Sequence, residues 1–158
     1  MTEKKKILII DDEQDLTFLM SEALSLNDKY EVFVAHDGLK GQEMAVKVMP
    51  DVVFLDFVMP KIKGDKVLQY ITENVGSAKD VEVVIMSGLG TEVYFQETDR
   101  HDTMVDQLQK DRKKEIIGEP SAENFSSEVV NKYGVRYSLP KPFTQEALIA
   151  IVKKILNG

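Results

Sequence analysis

The chain has 158 residues, of which 43% are apolar and 30% charged, the length of one ordinary domain with material for a core. That balance excludes a wholly disordered chain, and no apolar run approaches the ~18 residues that cross a membrane. A net charge of -7, from 20 basic and 27 acidic residues, argues against direct nucleic-acid binding, and the absence of cysteine excludes disulfides and thiolate metal sites.

The first apolar run, Ile7 to Ile10, is rich in β-branched residues and ends at Asp11-Asp12. It reads as a strand and is too short for a signal peptide, so a cytoplasmic location is expected. Leu16, Leu19, Met20, Ala23 and Leu24 then recur at helical spacing. Val32 to Ala35 is a short strand, followed by Asp37-Gly38 and a second helix through Met44, Ala45 and Val48 that stops at Pro50. Asp51 to Leu55 is a third apolar run, closed by Asp56 and by a turn through Met59-Pro60 and Gly64. Val67, Leu68 and Ile71 mark the next helix. Val81 to Met86 is a fourth strand ending at Ser87-Gly88, and Val135 to Leu139 a fifth, before Lys141-Pro142. Thr144 is a candidate N-cap for a last helix carrying Leu148, Ile151, Val152 and Ile155.

Strands that alternate with helices build βαβ units and a parallel sheet. Runs that are apolar throughout suit strands covered on both faces. The expected fold is therefore α/β: a doubly wound, five-stranded parallel sheet with helices on both faces. One stretch breaks the rhythm. Ser87 and Lys141 are 54 positions apart, where a helix, two loops and a strand need roughly 25. A helix is expected over 121–133, so the surplus falls at about 89–120, with eight acidic and five basic residues. The chain is thus read as one domain over 1–158 with an inserted segment at about 89–120.

The polar signals fall at strand ends: Asp11 and Asp12 after the first, Asp56 after the third, Ser87 after the fourth and Lys141 after the fifth. In an open α/β sheet these ends converge where ligands bind. Taken singly, an Asp pair reads as a helix cap, a Ser-Gly as a turn and a lysine as surface. Together they make a pocket. Clustered carboxylates repel unless a cation intervenes, and Mg2+ takes carboxylate, water and phosphate oxygens. A carboxylate can act as a nucleophile toward phosphorus, with Lys141 and Ser87 stabilising the transferred group.

The segments IIDDEQDL, DVVFLDFVMPKIKGDKVL, VVIMSG and LPKPFTQEAL, in this order, resemble the receiver domain of bacterial response regulators. The resemblance covers nearly all of the chain except about 89–120. It implies a flavodoxin-like strand order 2-1-3-4-5. It implies Asp56 as phosphoacceptor, Asp12 as a direct Mg2+ ligand, Asp11 as a ligand through water, and the Val58 carbonyl completing the protein's share. Ser87 would hydrogen-bond the phosphoryl group, and Lys141, before a cis proline, would form its ion pair. A histidine kinase or histidine phosphotransferase would donate the group. One departure stands out. The family's aromatic residue three positions before the lysine is here Ser138, and strand parity turns Tyr137 to the other face.

The first reading is a phosphoacceptor switch that changes its binding to a downstream protein partner, with a homodimer among the allowed assemblies. The alternative is a receiver-like interaction module that is not phosphorylated. A phosphatase acting on foreign substrates is disfavoured, because Val58 puts no second acid two residues after Asp56. Enzymatic behaviour is therefore expected to stop at Mg2+-dependent self-phosphorylation and slow autodephosphorylation.

Overall fold

The computed structural model describes residues 3–75, 81–87, 133–135 and 137–157. The inserted segment at 89–120 and most of the helix expected over 121–133 lie outside the described residues. The elements are β1 (Lys5–Ile10), α1 (Gln14–Ser25), β2 (Tyr30–Ala35), α2 (Gly38–Val48) and β3 (Val52–Asp56). They continue with α3 (Gly64–Asn74), β4 (Glu82–Ser87), β5 (Tyr137–Pro140) and a helix labelled here α4 (Gln145–Asn157).

The five strands form one sheet in the order β2-β1-β3-β4-β5, and every neighbouring pair is parallel. Alternate residues of each strand face opposite sides, which divides the core in two. Leu8, Ile10, Val53, Leu55, Val83 and Ile85 pack with Ala45, Val67, Leu68 and Ile71 of α2 and α3. Ile7, Ile9, Phe54, Val84, Met86 and Leu139 pack with Met20, Leu24, Leu148, Ile151 and Val152 of α1 and α4. Burying each of the larger aliphatic and aromatic side chains stabilises the fold by roughly 1.5–3 kcal/mol, so two covered faces fix the strand register. The three-layer α/β architecture and the expected strand order are both present.

Two local readings differ from the structure. Leu19 does not join the core; it is exposed, as is Phe18. The inward stripe of α1 runs through Leu16, Met20, Ala23 and Leu24, spaced by four, three and one. Leu19, one residue before Met20, is therefore turned about 100° away around the helix axis. The last strand starts at Tyr137 rather than Val135, since the chain turns through Tyr133 and Gly134, whose φ is 73°. It runs on to Pro140, which an edge strand tolerates.

Candidate functional site

The site grows from three loops at the carboxyl edge of the sheet. β1 delivers Asp11, whose backbone N–H is tied to the Ala35 carbonyl at 3.1 Å. Its side chain is fully buried, and Oδ1 accepts the Glu13 N–H at 2.9 Å. Asp12, one residue on, faces solvent. β3 delivers Asp56, 3% exposed, whose Oδ1 accepts the Val58 N–H at 3.0 Å. The loop after it is pinned by the Gly64 N–H to the Phe57 carbonyl at 3.1 Å. That approach needs glycine: a Cβ on Gly64 would lie 2.4 Å from Phe57 Cα.

β5 delivers Lys141. Its peptide bond to Pro142 is cis. α4 starts beyond it with Thr144 as N-cap, Oγ1 accepting the Ala147 N–H at 3.1 Å. The Lys141 ammonium lies 2.7 Å from Asp11 Oδ2, 3.0 Å from Glu13 Oε1 and 3.4 Å from Asp56 Oδ2. Residues from three distant parts of the chain thus meet at one point. Asp11, Asp12, Asp56 and Lys141 are all brought together as their strand-end positions suggest. Glu13 is an addition that sequence reasoning missed. Its position in DDEQ was the signal, since it follows the acidic pair directly.

Burial, and after it the neighbouring Asp11 carboxylate, push the Asp56 carboxyl up to about 7; Lys141 and the Val58 N–H pull it back only in part. Burial alone would lower the Lys141 ammonium, but Asp11, Asp56 and Glu13 outweigh it and raise its pKa above the usual lysine value. The lysine is therefore a fixed positive charge at neutral pH.

Asp11, Asp12 and Asp56 each place one carboxylate oxygen within 4.8 Å of the others. Three carboxylates, of Asp11, Glu13 and Asp56, face one ammonium, and Asp12 adds a fourth acid beside Asp11 and Asp56, leaving the pocket negative. An all-oxygen, negative donor set with one solvent-facing member fits a hard divalent cation that keeps part of its water. The Val58 N–H is used by Asp56, and its side chain is exposed. Ser87 closes β4 beside Pro140 of β5; its side chain lies outside the described residues.

Ser138 is buried beside Ile85 on β4, and Tyr137 is buried beside Val84. Tyr137 packs into the layer under α1 and α4, the face opposite to that of Ile85. Tyr137 thus points to the opposite face from position 138, as strand parity requires, and does not substitute for an aromatic there. Among the described residues, no helix is long and apolar enough to cross a membrane.

Comparison with known proteins agrees with this geometry. The family model described as the response regulator receiver domain matches residues 7–119. That span includes Asp11, Asp12 and Asp56 and stops short of Lys141. RpaA of Synechocystis, a "DNA-binding dual master transcriptional regulator", is 39% identical over 85 residues, 54% of this chain and 34% of that protein. The chain thus spans about a third of the length of the first such relatives. Sporulation initiation phosphotransferase F of Bacillus subtilis is 32% identical over 97 residues, 60% of this chain and 73% of that protein. Among solved structures, chemotaxis protein CheY4 of Vibrio cholerae shares the fold with a TM-score of 0.65 at 20% identity, over 97% of this chain and 99% of that one. A CheY-like receiver domain protein of Methanospirillum hungatei has a TM-score of 0.66 at 17% identity, over 98% and 95%. A sheet in this order, an acidic pocket at its carboxyl edge and a family match over most of the chain lead to one conclusion: the chain belongs to the response regulator receiver domain family.

Proposed function

We propose that the chain is a phosphoacceptor switch in which Asp56 receives a phosphoryl group. The observation that carries this is the Lys141 ammonium held 3.4 Å from Asp56 Oδ2 inside the cluster of Asp11 and Asp12. The Asp56 carboxylate attacks phosphorus, a new O–P bond forms, and the bond from phosphorus to the donor breaks. For a phosphohistidine donor the leaving group is the imidazole, which takes a proton. A histidine kinase or histidine phosphotransferase is the donor of that chemistry; the phosphotransferase named among the relatives supports this class.

The product places about 1.5 to 2 extra negative charges beside Asp11, so neutralising groups are needed. Lys141 supplies one fixed positive charge. Mg2+, when bound, cancels the mutual repulsion of the acids and the charge on the phosphoryl oxygens. Asp12, exposed and unencumbered by Lys141, is suited to bind it directly; Asp11, already 2.7 Å from the ammonium, to hold it through water. The Val58 carbonyl and the Ser87 hydroxyl complete the roles proposed for this chain. Val58 sits where a second acid would be needed for turnover of foreign substrates, so the activity stops at self-phosphorylation and slow hydrolysis of the product. The domain is read as 1–158 with the inserted segment at about 89–120, and the output as altered binding of a protein partner.

The buried Ser138 favours a second reading, an interaction module that is not phosphorylated, because a serine offers no ring to swing between inward and outward positions. One experiment separates the two. Wild-type protein is incubated with acetyl phosphate and Mg2+ and its intact mass measured, with Asp56→Asn beside it. The switch predicts the mass of one phosphoryl group on the wild type only, dependent on Mg2+. An unchanged wild-type mass favours the module.

A further inference from the structure

We infer that Glu13 is a positioning residue for Lys141, drawing the ammonium toward the start of α1 and away from Asp56. This deepens, and rests on, the proposal that Lys141 serves a phosphoryl group on Asp56. An ammonium has three N–H donors, and three carboxylates surround this one. The distances rank Asp11 first at 2.7 Å, Glu13 second at 3.0 Å and Asp56 last at 3.4 Å. Of these three, the residue proposed to carry the phosphoryl group lies farthest from the ammonium.

The three partners differ in freedom. Asp11 is fully buried, and its other oxygen accepts the Glu13 N–H at 2.9 Å. Asp56 is held by the Val58 N–H at 3.0 Å. The Glu13 side chain is 60% exposed and can leave. It occupies the N-cap position of α1, yet its carboxylate caps no backbone N–H there. Its side chain instead crosses to the lysine that follows β5. A single residue thus fixes Asp11 through its main chain and Lys141 through its side chain.

The consequence for the reaction is competitive. A phosphoryl group on Asp56 needs the donors that Glu13 engages. Removing that carboxylate should speed phosphorylation. The Glu13 side chain is 60% exposed and its charge is screened by solvent, so the effect is bounded at about two- to fivefold.

Two measurements on the full chain test this. The first is the rate of adduct formation from acetyl phosphate and Mg2+, followed by intact mass at low salt, for wild type, Glu13→Gln and Glu13→Asp. The aspartate keeps the charge but is one methylene too short to hold the lysine. Both variants should react about two- to fivefold faster than wild type. The second is a double-mutant cycle of Glu13→Gln with Lys141→Met in metal-free chemical unfolding, which needs no phosphorylation. It should show coupling of at least about twofold in the unfolding constant. Rates equal to wild type in both variants overturn the inference. So does a gain in Glu13→Gln alone, which would make the effect one of charge rather than position. Absence of adduct on every variant is the failure of the phosphoacceptor reading; the cycle then decides the positioning by itself, and zero coupling overturns it.

Discussion

Lys141 Nζ and Asp11 Oδ2 lie 2.7 Å apart although one residue follows β1 and the other follows β5, at opposite ends of the chain. The carboxylate is fully buried, and the lysine side chain is 12% exposed. A buried charge left without its partner is costly, more so than the pair is stabilising. Lys141→Ala is therefore expected to lose about 2–4 kcal/mol of stability in metal-free buffer. Divalent metal should restore part of the loss, because a cation replaces the missing positive charge. Urea unfolding with EDTA and with Mg2+ measures both effects. Equal losses in the two buffers would contradict the shared-charge picture.

The raised Asp56 pKa has a stability consequence of defined sign. The folded state holds a proton that the unfolded chain releases between the ordinary value of 3.8 and about 7. Stability contributed by this group is therefore lost as pH rises through that window. Asp56→Asn removes the buried charge. In EDTA it should exceed wild type by on the order of 1–3 kcal/mol near neutral pH and above, with the gap closing at about pH 4. Unfolding curves across this range check it; a gap that grows on acidification would reverse the assignment.

Asp12 faces solvent, so its side chain contributes little to the metal-free fold. Asp12→Asn should leave stability in EDTA within about 0.5 kcal/mol of wild type. With Mg2+ at about ten times its Kd, the wild type should gain about 1.4 kcal/mol, and the variant should gain nothing at that concentration. Thermal shift against Mg2+ concentration reads the difference. An equal Mg2+ gain in the variant would remove Asp12 from the ligand set.

Gly64 fixes the loop that carries Val58. An added Cβ would meet Phe57 Cα at 2.4 Å and Phe57 Cδ1 at 2.5 Å, and backbone cannot give way as a flexible side chain does. Gly64→Ala should cost about 1–3 kcal/mol and weaken Mg2+ binding together with stability. A stable variant with unchanged Mg2+ affinity would show that the loop can shift without disturbing the site.

Much of this was legible in the sequence because two-sided burial writes strands as apolar runs. Ile7 to Ile10 and Val52 to Leu55 are fully buried, and the polar residues that end them lie at the pocket. The meeting of Lys141 with Asp11 followed from strand order, not from local pattern. The sequence misled at α1, where leucine at 19 carries the same hydrophobic character as Met20 but a different angular position, and Phe18 beside it is exposed as well. Phe18→Ala and Leu19→Ala should each cost under about 0.5 kcal/mol, against roughly 2–4 kcal/mol for Leu24→Ala. Glu13 was legible only as a third acid directly after Asp11-Asp12; that its side chain crosses to Lys141 at 3.0 Å depends on the rotamer of a long, exposed side chain, which no local pattern encodes.

The most direct measurement of the central claim is the position of the modified carboxylate. Protein treated with acetyl phosphate and Mg2+ is reduced with borohydride, which converts an aspartyl phosphate to homoserine, and mapped by tandem mass spectrometry. Homoserine at position 56 alone is the expected result. Conversion at Asp11 or Asp12, or at no residue despite a bound divalent cation, would contradict it.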